Sequence, residues 1–148
     1  MLAQVRDMCL EARFPRSELP FIDLCLAYER ARDGDYAGAL PQMRKSVEEM
    51  SIRRQFSYQV GAAALLVEML LGRATEGDLV EAEAAVDRLA AIPGHNWVAR
   101  DIMVLRLRTL LAKAHGDDAG YREFRDRYRA LATSLGFEGH MQWAEAMP

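Results

Sequence analysis

The stretch Leu26-Ala27-Tyr28-Glu29-Arg30-Ala31-Arg32-Asp33-Gly34-Asp35-Tyr36-Ala37-Gly38-Ala39-Leu40 reads as a helix end, a turn and a helix start. Upstream, Phe21, Leu24, Tyr28 and Ala31 recur at the spacing of one helical face. Gly34 supplies a residue that adopts the left-handed conformation cheaply at a helix C-terminus. Asp35 supplies a carboxylate that can accept from the orphan N–H groups of the next helix. The Gly-Asp pair returns at Gly77-Asp78 and Gly116-Asp117, after intervals of 43 and 39 residues. A period of this size marks stacked helical hairpins, so Gly34, Asp35, Gly77, Asp78 and Gly116 are predicted turn residues.

The rest of the chain fits that frame. The spacing of apolar residues predicts helices over about 2–13, 20–33, 36–53, 57–71, 79–91, 97–114 and 119–135, with a short eighth within 141–147 and no strand. In the first, Leu2, Val5, Cys9 and Ala12 share a face. Pro41 should kink the third helix or delay its start, because it lacks an N–H and lies past the first turn. The fourth is apolar nearly all round, as helices buried between neighbours are. Gly72 is expected to stop it, and Gly136 to close the seventh, with Phe137 folding back. The fold class predicted is all-α: one domain over 1–148, made of antiparallel hairpins at about 20–53, 57–91 and 97–135. Residues 1–14 and 137–148 would cap the stack.

Composition excludes several classes. The chain has 148 residues, 51% of them hydrophobic, enough for a core and too apolar for disorder. Nineteen basic residues against 22 acidic ones argue against a nucleic-acid binder, which normally carries a basic excess. Basic charge gathers locally: residues 98–129 hold eight basic and five acidic groups. Cys9 and Cys25 lie in apolar helical context and form no disulfide framework, which fits a cytoplasmic home. The N-terminus lacks the charged-then-apolar pattern of a signal peptide. The apolar run 60–71 contains Glu68 and is too short to span a bilayer.

The segment 26–40 carries a resemblance to the tetratricopeptide repeat superfamily. Small Ala27 lies seven residues before Gly34, aromatic Tyr36 two after it and small Ala39 five after it. A second unit keeps Gly77, Leu79, Ala82 and Val86, with Pro93 near the closing position. The third places Asp118 in the aromatic slot and Tyr121 in the small one, as a terminal capping repeat would. The resemblance implies a right-handed superhelix of about three repeats. The tail from Tyr128 to His140 is similar to the C-terminal ends of large actinobacterial signalling proteins that join a class III nucleotide cyclase domain, an AAA-type or STAND-type ATPase and a helical repeat tail, or that place a LuxR-type DNA-binding domain beside the ATPase. No cyclase carboxylate motif, phosphate loop or helix-turn-helix occurs in this sequence. The resemblance therefore implies a sensor or scaffold piece beside such neighbours.

Candidate sites are few. His95, His115 and His140 lie far apart in sequence and form no zinc motif, so neither a metal nor a cofactor is expected. Gly94-His95-Asn96-Trp97 is the one loop of unusual chemistry. Trp97 beside His95 would either stack on a ligand or anchor the loop to the following helix. Arg122, Arg125 and Arg129 share a face of the seventh helix. They would either grip an acidic partner or form a solvated face interleaved with Glu123 and Asp126. Asp117-Asp118 suits helix capping better than calcium, since the other ligand positions of a calcium loop are missing. The serines lie in no nucleophile elbow.

The expectation is a non-catalytic module that binds protein or peptide, including neighbouring domains of a larger chain, without nucleic acid or membrane. The alternative is a small-molecule sensor domain of a transcriptional regulator or nucleotide cyclase, with its ligand near Trp97.

Overall fold

A computed structural model describes residues 1–11, 13–94 and 96–147; Ala12 and His95, both named above, lie outside the described residues. All regular structure among these residues is helical. The chain forms two compact units, Met1–Met69 and Leu70–Pro148. No linker composition marks the division, which falls inside a helix.

The first unit contains α1 (Leu2–Leu10), a 3-10 turn at Arg16–Glu18, α2 (Leu19–Arg32), α3 (Tyr36–Ile52) and most of α4 (Phe56–Arg73). α1 packs on α2, and α2 on α3. Cys9, Leu24, Ala27, Ala31, Ala39, Leu40, Met43 and Met50 are buried; of the predicted α2 face, Leu24 and Ala31 are fully inside while Phe21 and Tyr28 are half-buried. α3 starts at Tyr36 without delay and runs through Pro41. The carbonyl that Pro41 deprives of a partner belongs to Ala37; both residues are exposed, so water can replace the lost bond. Tyr28 donates its hydroxyl to Glu68 of α4 at 3.2 Å, and the Tyr58 hydroxyl donates to Glu18. Val60, Ala62, Ala63, Ala64, Leu66 and Val67 of α4 are buried, as its all-round apolar sequence requires.

The second unit contains α5 (Glu76–Ala90), α6 (Val98–His115), α7 (Asp118–Leu135) and α8 (Glu138–Glu145). Each packs on the next, α5 on α6, α6 on α7 and α7 on α8. Ala82, Val86, Leu89, Ile102, Leu107 and Leu111 are buried. No described helix in either unit is long and apolar enough to cross a membrane.

The turns follow one rhythm. A residue with left-handed φ marks each bend, at Gly34, Arg54, Ala74, Asn96, Gly116 and Gly136, in steps of 20, 20, 22, 20 and 20 residues; all follow a helix end closely except Asn96, which stands in the loop just before α6. Two helices therefore repeat every 40 to 42 residues, close to the period read from the Gly-Asp pairs. The α2–α3 and α6–α7 turns use the same five-residue pattern, Gly34-Asp35-Tyr36-Ala37-Gly38 and Gly116-Asp117-Asp118-Ala119-Gly120. In each, the glycine takes positive φ, the following N–H bonds back to Arg30 or Ala112, and the aspartate accepts from the later glycine N–H at 2.9 Å. A Cβ on Gly120 would run into the Asp117 carboxylate.

The middle marker is corrected. Gly77 lies inside the first turn of α5, not at a bend, and Asp78 is not the N-cap. The bend is at Ala74 (φ 52°), three residues earlier, and α4 continues through Gly72 to Arg73. Thr75 is the N-cap. Its hydroxyl accepts from the Asp78 N–H at 3.3 Å, while the Asp78 carboxylate accepts from the Thr75 N–H at 3.1 Å, a reciprocal capping box. That pairing starts α5 at residue 76, not 79. Arg73 adds two bonds to the same carboxylate, one of 2.7 Å, and Asp78 is only 1% exposed.

Candidate functional site

The densest grouping of chemically distinctive side chains lies where α6, α7 and α8 meet in the second unit. Gly136 turns the chain out of α7 with φ 66°, and the Phe137 N–H returns to the Ala132 carbonyl at 3.3 Å, the expected fold-back. α8 then begins at Glu138, earlier than the predicted 141. Ala144 and Met147 join Ile102, Tyr128 and Ala132 in a buried cluster, with Leu105, Leu110, Leu131, Leu135 and Met141 around it.

His140 stands above that cluster. Its Nδ1 is 2.8 Å from the hydroxyl of fully buried Tyr128, whose ring meets the imidazole edge-on. Trp143 contacts the same imidazole edge-on at 5.1 Å between centroids, and Phe137 lies 6.2 Å away. The guanidinium of Arg106, from α6, sits 4.4 Å from the Trp143 ring centre, within cation–π range. Burial pushes the Tyr128 phenol up to about 12, with Arg106 opposing. Burial, helped by the Arg106 charge, holds His140 below the usual imidazole value and favours its neutral form. Trp143 and Phe137 nevertheless remain 46% and 41% exposed.

The predicted arginine face divides. Arg129 is turned onto the end of α8, where Nε donates to the Ala144 carbonyl at 3.0 Å and a terminal nitrogen to the Met147 carbonyl at 2.8 Å. These carbonyls belong to the last turn of α8 and the residues after it, where a cation is favoured. Arg125 pairs with Asp126 at 3.1 Å and lies 5.6 Å from the Tyr121 ring. Arg122 is exposed. The three are thus not gathered into one anion grip.

Trp97 is the N-cap residue of α6, half-buried, with Arg100 at 5.9 Å from its ring. Arg100 also donates to the Ile92 carbonyl, tying the loop down. His95 lies outside the described residues, so its partnership with Trp97 has no geometry to report.

Sequence reading missed Arg106, Tyr128, His140 and Trp143 as a group. His140 and Trp143 at i, i+3 beyond an aromatic helix was the available signal; Arg106 had no local one, because it joins them from a different helix.

In the first unit, a polar groove of about 540 Å³ is lined by Arg6, Asp23, Leu26, Ala27, Arg30 and Asp33 among others. Arg6 and Asp23 form an ion pair of 2.6 Å across it. Among the described residues, no three His, Cys, Asp or Glu side chains are grouped to hold a metal ion. Comparison of the chain with protein-family models, curated proteins and solved structures gives no match.

Proposed function

We propose that this chain is a non-catalytic interaction module, and that it takes a protein or peptide segment on the aromatic face of α8. One observation carries the reading. Trp143 and Phe137 stay about half exposed although a buried cluster lies directly beneath α8. Tryptophan is over-represented among residues that dominate binding energy, and a ring already held by a neighbour loses little freedom when a partner arrives. Arg106 on one face of Trp143 and His140 at its edge provide that hold. The wider role is a scaffold or sensor piece of a signalling protein, as the resemblance of the Tyr128–His140 tail implies.

The test places a photo-crosslinking residue at exposed Gln142, with exposed Glu83 as control, and follows the recovered partner by calorimetry. Crosslinking at 142 only, together with a Kd raised at least tenfold by Trp143→Ala, is the expected result. Equal crosslinking at both positions, or unchanged affinity in Trp143→Ala, ends the proposal.

The small-molecule sensor reading has one observation in its favour, the groove of the first unit with its facing Arg6 and Asp23. A ligand retained in native mass spectrometry, and lost in Arg6→Ala, would favour it.

A further inference from the structure

We infer that α8 is a proton-sensitive latch, with His140 as the group that holds it shut when neutral and releases it when protonated. The inference stands apart from any partner, since it concerns the docking of α8 on α7 in the chain alone.

α8 has eight residues, too few to persist as a helix in water without tertiary contacts. Its attachment rests on a short set of contacts: Met141, Ala144 and Met147 at the buried cluster, the Arg129 bonds to its last carbonyls, Trp143 under the Arg106 guanidinium, and His140. Of these, only His140 titrates near neutral pH. The half-buried imidazole is bordered by the Tyr128 ring and hydroxyl from α7, by Phe137 and Trp143 from its own segment, and by the Arg106 charge from α6. The other charged groups around the joint are Arg129, already engaged with α8 carbonyls, and Arg125, paired with Asp126, both on α7. On α8 itself Glu138 and Glu145 are exposed. A second positive charge at His140 is therefore added close to Arg106, in a setting made chiefly of aromatic rings.

The sign follows from the neutral preference. A histidine held below its ordinary value of about 6.5 favours the docked state above that value. Docking weakens as pH falls through the ordinary value, until the docked form protonates too. One proton allows the undocked-to-docked ratio to rise by up to about tenfold per pH unit within that window. Undocking uncovers Tyr128, Ala132 and Ile102 and frees the Arg129 guanidinium.

The experiment follows the full chain by NMR between pH 7.5 and 5. It reads the His140 ring resonances and the hydrogen exchange of α8 amides, with α6 amides as reference. The inference expects His140 to titrate below 6.5 and the protection of α8 amides, taken relative to intrinsic exchange at each pH, to fall with the same midpoint while α6 protection holds. Constant α8 protection through the His140 titration overturns it, as does a loss of α6 protection in step with α8. His140→Gln, which keeps a neutral polar group, should flatten the pH response of α8; a response that persists in a folded His140→Gln chain also overturns it. If that variant does not fold, the wild-type exchange profile decides alone.

Discussion

Two turns of the second unit solve one problem with different parts. Between α6 and α7, Gly116 takes the left-handed conformation at no steric cost, and the exposed Asp117 caps the next helix through Gly120. Between α4 and α5 the same conformation falls on Ala74, which carries a Cβ where L-residues are disfavoured. There the cap is a buried carboxylate, Asp78, held by Thr75 and by two bonds from Arg73. The first turn is cheap and local. The second places an unfavoured residue at the bend and is fixed by a charged network. The lesson is that a repeat can keep its spacing while the residue marking each bend changes.

The network should therefore be the costlier one to cut. Asp78→Ala removes the Arg73 bonds and half of the capping box at a residue that is 1% exposed. Hydrogen bonds to charged groups and a lost cap together suggest a loss of about 2–3 kcal/mol, discounted because Arg73 is partly exposed. Asp117→Ala loses an exposed cap alone, about 1 kcal/mol. Urea unfolding of both variants checks the order; equal losses would show that the buried network adds nothing. The two also differ in acid. The Arg73 guanidinium and the Thr75 bonds hold the Asp78 carboxyl well below the usual carboxylate range, against the opposing effect of burial. Its stabilisation is complete above the unfolded value of about 3.9 and fades as pH falls below it. Stability measured between pH 6 and 2.5 should therefore fall more gently in Asp78→Asn than in wild type.

That contrast explains which features could be read in advance. The Gly-Asp pairs at 34 and 116 announced their turns because φ preference and capping are both local properties of adjacent residues. Gly77-Asp78 offered the same two letters, yet the helix begins at 76, because Thr75 lies three residues before Asp78 and the two cap one another. The signal Thr75-Glu76-Gly77-Asp78 was present, with Asp in place of the more usual Glu or Gln. Ala74 gave no signal, since alanine ordinarily favours helix. The all-helical class and most inward faces were readable for the same local reason that Gly34 was. The α6–α8 cluster was not, because Arg106 and His140 meet only through packing of helices distant in sequence. Arg129 was assigned to a solvated or anion-gripping face because the α8 carbonyls it serves have no trace in the α7 sequence.

The bend residues themselves provide the next smaller effect. Gly116→Ala asks a Cβ to occupy φ 71°, where L-residues lose about 1 kcal/mol or somewhat more. Nothing lies within 4 Å of the new methyl, so the cost is backbone strain and not collision. Thermal unfolding should show a modest fall with no change in helical content at low temperature. A neutral result would mean that the α6–α7 junction shifts to another conformation.

The converse substitution has the smallest effect and the opposite sign. Ala74 is exposed, its φ is 52°, and its N–H bonds to the Leu70 carbonyl at 2.8 Å, a bond that glycine keeps. Ala74→Gly removes the Cβ penalty but adds freedom to the unfolded chain, so the two effects partly cancel. The net expectation is a gain of about 0.5 kcal/mol, against the usual direction for glycine introduced beside a helix. Arg54 is the less clean position for the same experiment, because its guanidinium lies 5.6 Å from the Phe56 ring and glycine would lose that contact. A loss of stability in Ala74→Gly would show that the bend at 74 costs nothing in the native chain. The Arg73–Asp78 network would then be capping α5 alone, with no strain at the bend to offset.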